Sequence, residues 1–391
     1  MRLNYKRLGH YIKLVEGRNK VLQTLPLMGL SITKKFIPSI ANLVGTDMTT
    51  YRTIIRNQFA YSPVTSRNGD KITIALFDDH DKALISQAYT PFEVIDKKEL
   101  LPEYLMMWFR RTEFDRYARF MSHGSARELF SWEDLCDMQL PIPSIAKQKE
   151  IVKEYNIIQN RIALNKQLIQ KLEETAQAIY WQWFVDFEFP DENGKPYKSN
   201  GREMVFNEEL EKEIPKGWEV KNLGDVARIS AGGDKPNSFS YNETDKLKIP
   251  VYSNSSASEG LYGFTDKHSI SENGITISAR GAIIGFTVLR TKPFYPIIRL
   301  IVVTPKHESL LNYLFYCTSL FTYNDSGSAQ GQLTVPEISS FPILTPSLET
   351  LKEFQRFSNS IVNHLDIKKK ESLIFENFQN ILLSKLATIE N

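Results

Sequence analysis

The chain repeats itself once, and this repeat constrains the fold more than any single motif does. The segments YKRLGHYIKLVEG (residues 5–17) and VKNLGDVARISAG (220–232) both read Lys-x-Leu-Gly and continue as an alternating apolar run that ends in Gly. A second matching pair follows in the same order, GSARELFSWEDLCDMQLPIPS (124–144) and GSAQGQLTVPEISSFPILTPS (327–347). Two matches in one order indicate an internal duplication, so the chain holds two copies of one structural unit.

Each copy is predicted to be a turn-rich globule that mixes strands and helices. Runs such as KITIALF, GITISA and LIVVTP are typical of strands bounded by Gly, Asn and Pro. A helical segment lies late in each globule, and a Pro-containing exit then leads to a long helix. Ser144 and Ser347 are the predicted N-caps of the two long helices.

The first long helix carries a continuous seam. From Gln148, alternating steps of three and four residues reach Ile151, Tyr155, Ile158, Ile162, Asn165, Ile169, Leu172, Ala176, Ile179 and Trp183. This alternation is typical of a coiled coil, and about 40 helical residues would span about 60 Å. No single globular core needs such a helix, so it must pack lengthwise against a similar partner. Asn165 is predicted to fix the register of that pairing at some cost in stability.

The second long helix begins at Leu348 and has a less regular pattern. Its predicted apolar positions are Phe354, Phe357, Ile361, Leu365, Ile367, Ile374, Phe378, Ile381 and Leu386. One arrangement pairs the two helices of one chain, antiparallel if the two globules sit at opposite ends. The alternative is a zipper between copies of the chain.

Composition indicates an ordinary soluble protein, with 42% hydrophobic and 24% charged residues. Cys136 and Cys317 form no pair motif and are predicted to be small core residues in a reducing compartment. The N-terminus lacks the apolar core of a signal peptide, and no apolar run is long enough to span a membrane, so we predict a cytoplasmic protein. A net charge of +2 is low for a protein that binds DNA alone, so partners would supply part of the phosphate neutralisation.

The sequence contains no motif that indicates an active site. It has neither a phosphate-binding loop, nor a dinucleotide fingerprint, nor a zinc-binding cluster, nor the Asn-Pro-Pro-Tyr-like segment of amino-methyltransferases. Nothing nominates the members of a Ser/His/Asp triad among the scattered histidines. We therefore expect no catalytic residues in this chain.

The order of segments resembles the DNA-sequence specificity subunit of type I restriction-modification enzymes. The chain begins with a first globule, which ends in GSAR…LPIPS and leads to a long helix. After this helix come WFVDFE, IPKGWEVKNLGDV and a second globule, and GSAQGQLT then precedes a second long helix. NQFAYSPVTSRNGDKITIAL, ALISQAYTPFEV and YLMMWFRRTEF resemble the first target-recognition domain of that family, and ISARGAIIGFTVL with PFYP resembles the second. The resemblance runs along the entire chain.

The resemblance implies an α/β (α+β) fold with a two-fold pseudo-repeat, in which an antiparallel coiled coil separates two target-recognition domains. The implied boundaries are 1–143 for the first domain, 144–186 for the first helix, 187–217 for a connector, 218–346 for the second domain and 347–391 for the second helix. Each domain would recognise one half of a bipartite DNA site, and the helices would set the spacer between the halves.

The resemblance also implies partners. These are double-stranded DNA, two methyltransferase subunits that methylate adenine at N6, and restriction subunits that cleave unmodified DNA. S-adenosylmethionine, ATP and Mg²⁺ would be used by the partner subunits, and this chain would be non-catalytic and hold no metal. Two other hypotheses are a stand-alone DNA-binding or scaffold protein and a self-contained hydrolase.

Polar loop residues are the candidates for DNA contacts, because side chains on base edges determine specificity while phosphate contacts position the protein. In the first copy the candidates are Arg18, Asn19, Arg67, Asn68, Lys71, His123, Ser125 and Arg127. In the second copy they are Lys235, Asn237, Ser253, Asn254, Ser255, Arg280, Ser328, Gln330 and Gln332. Arg suits guanine, and Asn and Gln suit adenine. For each residue the alternatives are a phosphate contact or the capping of a turn.

Aromatic residues at the end of the first long helix are candidates for partner binding. They are Trp181, Trp183, Phe184 and Phe187, which precede the turn-forming DENGKP segment. Exposed aromatic side chains are typical of protein interfaces. The alternative is that they pack onto the next domain.

Overall fold

The computed structural model describes residues 5–40, 46–66, 69–124, 128–321 and 332–389. These residues divide into two compact units. The first unit comprises the described residues up to Lys166 together with those from Lys369 onward, and the second unit runs from Gln167 to Lys368. Each unit therefore combines one globular region with parts of both long helices.

The first unit mixes short strands with helices. Its strands are β1 (Tyr5–Arg7), β2 (Ile12–Leu14), β3 (Leu27–Leu30), β4 (Phe36–Pro38), β5 (Arg52–Ile55), β6 (Gln58–Tyr61), β7 (Ile74–Leu76), β8 (Lys82–Ile85), β9 (Thr90–Val94) and β10 (Gln139–Pro141). Its helices are α1 (Pro102–Phe109), α2 (Thr112–Met121), α3 (Trp132–Asp137) and the first part of α4 (Ile145–Phe184), with 3-10 turns at Leu8–His10 and Met48–Thr50.

Two four-stranded sheets form the body of the first unit. One has the antiparallel order β2-β9-β6-β7, and the other has the order β4-β3-β8-β5, in which β3 and β8 run parallel. Phe59 and Phe92 stack at 4.9 Å in the core, and the buried helix α1 packs against them through Phe109. The single helical segment predicted late in this copy is two helices, because Arg111 is extended and ends α1 before α2 begins.

The second unit has a different set of sheets. Its strands are β11 (Met204–Asn207), β12 (Lys212–Pro215), β13 (Glu219–Asn222), β14 (Ala227–Ala231), β15 (Ile249–Tyr252), β16 (Leu261–Thr265), β17 (Gly274–Ser278), β18 (Thr287–Arg290), β19 (Tyr295–Pro296), β20 (Leu300–Pro305) and β21 (Pro342–Thr345). Its helices are α5 (Leu223–Val226), α6 (Leu311–Ser319), α7 (Val335–Ser339) and the part of α8 (Leu348–Lys385) up to Lys368. It also has 3-10 turns at Ala257–Gly260 and Glu308–Leu310. The rest of α8 and the 3-10 turn Leu386–Thr388 that follows it belong to the first unit.

The core sheet of the second unit has the antiparallel order β14-β20-β17-β18. The runs GITISA and LIVVTP, predicted as strands, supply its two central strands, and both are buried throughout most of their length. A second sheet of order β16-β15-β19 carries the loop that joins β15 to β16.

A short antiparallel ladder closes each unit and explains why the two copies begin and end alike. β1 pairs with β10 in the first unit, and β13 pairs with β21 in the second. The repeated leucine follows the first strand of each ladder. The Leu8 amide donates to the Met138 carbonyl at 2.8 Å, and the Leu223 amide donates to the Phe341 carbonyl at 2.9 Å. The segments that match in sequence are thus the segments that meet in each fold.

The repeated glycine of Lys-x-Leu-Gly has a packing reason. A Cβ atom on Gly9 would lie 2.9 Å from the Cβ atom of Cys136 in α3, and one on Gly224 would lie 3.2 Å from the Cβ atom of Ser339 in α7. A larger residue would push the short helix away from the ladder, because real side chains keep longer distances. The same contact therefore fixes the same residue type in both copies.

The predicted seam of α4 is confirmed. All its positions from Gln148 to Trp183 are buried or half-buried, and most positions between them are exposed. Gln148 ends the seam with a polar network, because its side-chain amide donates to the Glu99 and Pro143 carbonyls and accepts from the Leu101 amide, each at 2.8 Å.

The predicted apolar positions of α8 are wrong in part. Phe357, Ile367, Ile374, Phe378 and Ile381 are exposed. The face that is buried or half-buried alternates in steps of three and four through Leu351, Phe354, Ser358, Ile361, Leu365, Lys368, Ser372, Phe375, Gln379, Leu382 and Leu386.

Polar residues enter this face of α8 because partners in the same unit satisfy them. Ser358 accepts a 2.8 Å hydrogen bond from Asn312 in the second unit, and Gln379 donates a 2.9 Å hydrogen bond to the Tyr155 hydroxyl in the first. A search for apolar residues alone therefore also includes residues on the exposed side of the helix.

The two long helices pair with each other and run antiparallel, as predicted. In the first unit Gln379 contacts Tyr155 and Glu376 lies 3.8 Å from Lys166. In the second unit the ring of Phe354 lies 5.7 Å from that of Trp183. Residue numbers rise along α4 as they fall along α8. Pairing within one chain, and not a zipper between chains, therefore buries the seam.

Asn165 lies in the buried seam, and in the described part of the chain its Nδ2 atom has no hydrogen-bond partner. A buried donor without a partner costs about 1–3 kcal/mol. We expect Asn165→Leu to raise the free energy of unfolding by a similar amount, measured by thermal and urea denaturation. The matched control is Asn160→Leu, at an exposed position of the same helix, which should change little. A lower stability of Asn165→Leu would contradict this account.

Candidate nucleic-acid interface

Three predicted DNA-contacting residues of the second unit lie together. Arg280 and Gln332 form an antiparallel β-bridge, and Asn254 Nδ2 donates a 2.9 Å hydrogen bond to the Arg280 carbonyl oxygen. Among the described residues, the buried Asn254 Oδ1 atom has no hydrogen-bond partner. Three separate segments thus meet at Arg280. Its guanidinium and the exposed Gln332 amide are of the types that recognise guanine and adenine edges, whereas the Asn254 amide is engaged within the fold.

The loop between β15 and β16 presents Ser253, Asn254 and Ser255. The Ser253 amide donates to the Gly260 carbonyl at 2.8 Å and closes the loop. Gly260 has a φ of +84°, and a Cβ atom there would lie 2.6 Å from the Ser253 carbonyl oxygen. Glycine is therefore required at this position.

A buried arginine supports the far side of this loop. The Arg290 guanidinium lies 3.6 Å from the Tyr252 ring centre, Nε donates to Thr276 Oγ1 at 3.0 Å, and a terminal nitrogen donates to the Glu259 carbonyl at 2.6 Å. Burial lowers the pKa of Arg290. Glu259 and Ser258 both have left-handed backbones. Sequence analysis missed Arg290, although an arginine that ends the apolar run FTVLR is a detectable signal.

The first unit places its candidates in separate loops. Arg18 is exposed after the repeated glycine, and a terminal nitrogen donates to the Thr50 carbonyl at 3.3 Å. Asn19 is buried, because its side chain accepts from the Gln23 amide at 2.8 Å and donates to the Gln23 carbonyl at 3.2 Å. Asn19 therefore shapes a turn, which is the alternative that the sequence left open.

This turn exposes apolar residues that sequence analysis missed. Val21 and Leu22 are 76% and 60% exposed, and Leu22 has a φ of 51°. A left-handed leucine is unfavourable unless the surrounding structure enforces it. The turn that Asn19 holds thus presents aliphatic side chains next to the exposed Arg18 and Lys20.

The remaining candidates are exposed or lie outside the described residues. Lys71 and His123 are exposed, and His123 forms a β-bridge with Leu129. Lys235 and Asn237 are exposed in the loop after β14. Arg67, Asn68, Ser125, Arg127, Ser328 and Gln330 lie outside the described residues.

The aromatic residues proposed for partner binding divide between core and surface. Phe184 and Phe187 are buried in the second unit, where Phe184 lies 4.7 Å from the Tyr313 ring and 4.8 Å from the Phe354 ring. Trp183 is half-buried in the seam. Trp181 is 48% exposed and is the member of the set most accessible to a partner.

An exposed apolar surface on the first unit was not predicted as such. Its members lie on the outer faces of α4 and α8 and are each about half exposed; they are Ile157, Leu164, Leu373, Ile374, Phe378 and Ile381. We call this set the helical apolar surface. A partner that packed on these helices could bury them.

The residues described contain no group of three or more His, Cys, Asp or Glu side chains arranged to hold a metal ion. Nor is any helix among them both long and apolar enough to cross a membrane.

Comparison with known proteins identifies the family. The model of the type I restriction modification DNA specificity domain matches residues 49–174 and 215–380. The chain belongs to this family. The two matches fall in the two copies that the sequence repeat defines, so each match includes most of one globular region and part of a long helix.

Relatives of the chain are specificity subunits as well. It is 25% identical over 310 residues to the type I restriction enzyme MjaIX specificity subunit of Methanocaldococcus jannaschii, covering 75% of this chain and 70% of the relative. It is 23% identical to the HindI specificity subunit of Haemophilus influenzae, covering 81% and 84% of the two chains. The crystal structure of a type I S subunit from M. genitalium has the same fold, with a TM-score of 0.64, 15% identity, and coverage of 100% of this chain and 99% of that one.

Arg290 generates a prediction about the loop that carries Asn254. Arg290→Lys keeps the charge but removes the planar group that stacks on Tyr252 and donates to two acceptors. We expect a loss of about 1–3 kcal/mol in stability and faster hydrogen exchange across residues 253–260. Arg299→Lys, at an exposed position, is the control. Unchanged exchange in Arg290→Lys would show that Arg290 does not support the loop.

Proposed function

We propose that this specificity subunit recognises a bipartite DNA site, with one globular unit for each half. The observation that carries the proposal is the duplicated fold: the same closing ladder recurs in both units, while the exposed loops differ in their side chains. A repeated scaffold with different recognition loops suits a site with two different halves.

Specificity would come from base-edge contacts in the loops. Arg280 and Gln332 suit the major-groove edges of guanine and adenine in one half-site, and Asn254 holds the Arg280 segment through its carbonyl oxygen. Arg18 and Lys71 of the first unit are exposed cations that suit the phosphates of the other half. The net charge of +2 is small, so we propose that partner subunits contribute the remaining phosphate contacts.

The paired helices would set the spacer between the two halves. α4 and α8 are each continuous, and each contributes residues to both units. A continuous helix pair is stiff and its length is fixed by residue count. The number of base pairs between the half-sites would then depend on helix length and not on contacts to those bases.

The helical apolar surface and Trp181 are the proposed docking positions for two methyltransferase subunits. Their apolar side chains are exposed on helices, where a partner can bury them. In this proposal the partners bind S-adenosylmethionine and methylate adenine at N6, and restriction subunits use ATP and Mg²⁺ to cleave unmodified DNA. The present chain supplies recognition and assembly.

Domain exchange tests whether each globular unit recognises one half of the DNA site. The chain is co-expressed with its methyltransferase partner, and methylated adenines are mapped by long-read sequencing. Replacing residues 218–346 with the matching segment of another specificity subunit should change one half of the methylated site and leave the other half intact. A change in both halves would exclude independent recognition, and a wild-type chain that co-purifies with no methyltransferase would exclude the proposal as a whole.

Helix length tests the proposed spacer mechanism. Deleting one heptad from the middle of each long helix preserves the alternation of three and four and removes about 10 Å of helix, the length of about three base pairs. We expect the mapped spacer to shorten by about that amount. Deletion from only one helix is the control and should disrupt the complex. An unchanged spacer in the double deletion would refute the mechanism.

A further inference from the structure

A cluster of three aromatic rings and one lysine lies on the second unit, outside the Asn254 and Arg280 arrangement. The Lys235 ammonium lies 3.7 Å from the Phe239 ring centre, 5.4 Å from that of Tyr241 and 5.5 Å from that of Tyr262. The Phe239 ring meets Tyr241 edge-on at 5.1 Å, and Tyr241 lies 5.8 Å from Tyr262. Tyr241 is nevertheless 68% exposed.

The fold holds this cluster in place. Ser240 and Phe264 exchange two backbone hydrogen bonds of 3.0 and 2.8 Å, and the buried Thr265 hydroxyl donates to the Ser238 carbonyl at 2.6 Å. A Cβ atom on Gly263 would lie 2.5 Å from the Phe239 ring, so this glycine makes room for the ring. The rings are therefore fixed before any ligand arrives, which lowers the entropy lost on binding.

The position of the cluster connects it to the loops already described. Tyr262 lies in β16, directly after the loop that presents Asn254, and Lys235 lies in the loop after β14. This second loop follows the repeated glycine, as does the turn with Arg18 and Leu22 in the first unit. Each unit thus presents a cation beside exposed apolar side chains at the same point of its repeat.

We propose that the cluster is a backbone-anchoring site of the DNA interface, in which the Tyr241 ring packs on a deoxyribose of the duplex and Lys235 contacts a neighbouring phosphate. This inference rests on the proposed DNA-binding function of the second unit. An exposed ring with fixed neighbours offers an apolar face to the sugar, and a cation beside it suits the polyanionic backbone. The cluster would therefore add affinity in the second half-site while Arg280 and Gln332 supply discrimination.

The test measures DNA binding by the complex of this chain with its methyltransferase partner. The probe is a duplex that carries the mapped methylation site, and a scrambled duplex measures background. We expect Tyr241→Ala to raise Kd roughly 5- to 30-fold, the range for loss of an aromatic ring that the DNA partly buries. Tyr241→Phe, which keeps the ring, should bind like the wild type. Lys235→Ala should reduce the slope of log K against log salt by about 1, whereas Tyr241→Ala should leave that slope unchanged.

Controls separate the possible failures. Phe206→Ala removes another aromatic ring, 63% exposed on β11, and should not alter Kd. Thermal denaturation shows whether each variant folds. Equal affinity of Tyr241→Ala and wild type for the mapped duplex would overturn the inference. Loss of the methyltransferase subunit from Tyr241→Ala would also overturn it, because the cluster would then be a protein interface. A wild-type complex that does not distinguish the mapped duplex from the scrambled one would instead refute the proposed function itself.

Discussion

The antiparallel pairing of α4 with α8 is the interaction on which both cores depend. In the first unit Ile151 and Tyr155 of α4 belong to the same core as Leu386, which follows α8. In the second unit Tyr180 of α4 and Phe354 of α8 belong to one core. Each globule therefore needs helical residues that are distant in the sequence, and neither core is complete until both helices have formed.

Several polar side chains also lie in the seam between α4 and α8. Gln148, Ser358 and Gln379 each form hydrogen bonds within their own unit, so they are buried at little cost. Asn165 differs because its amide nitrogen lacks a partner in the described part of the chain. This burial costs stability, and the register role predicted for Asn165 stays a prediction.

The two units share a scaffold but present different chemistry. The ladder, the buried leucine and the close glycine contact recur in both, because they close the fold. The loop after the repeated glycine presents aliphatic side chains in the first unit and an aromatic cluster around Lys235 in the second. Substitution in such loops leaves the ladder and its packing intact, so recognition can differ while the fold remains the same.

The sequence by itself determined the duplication, the mixed α and β class and the α4 seam, because these follow from repeated motifs and from periodicity that continues over many residues. It also indicated which loops carry polar side chains. Only the tertiary structure decided that Asn19 shapes a turn, that Phe184 is buried and that Asn254 meets Arg280, because each depends on segments that are distant in sequence. The buried face of α8 was also decided by the tertiary structure, since its Ser and Gln residues are buried only where a partner from another element satisfies their hydrogen bonds.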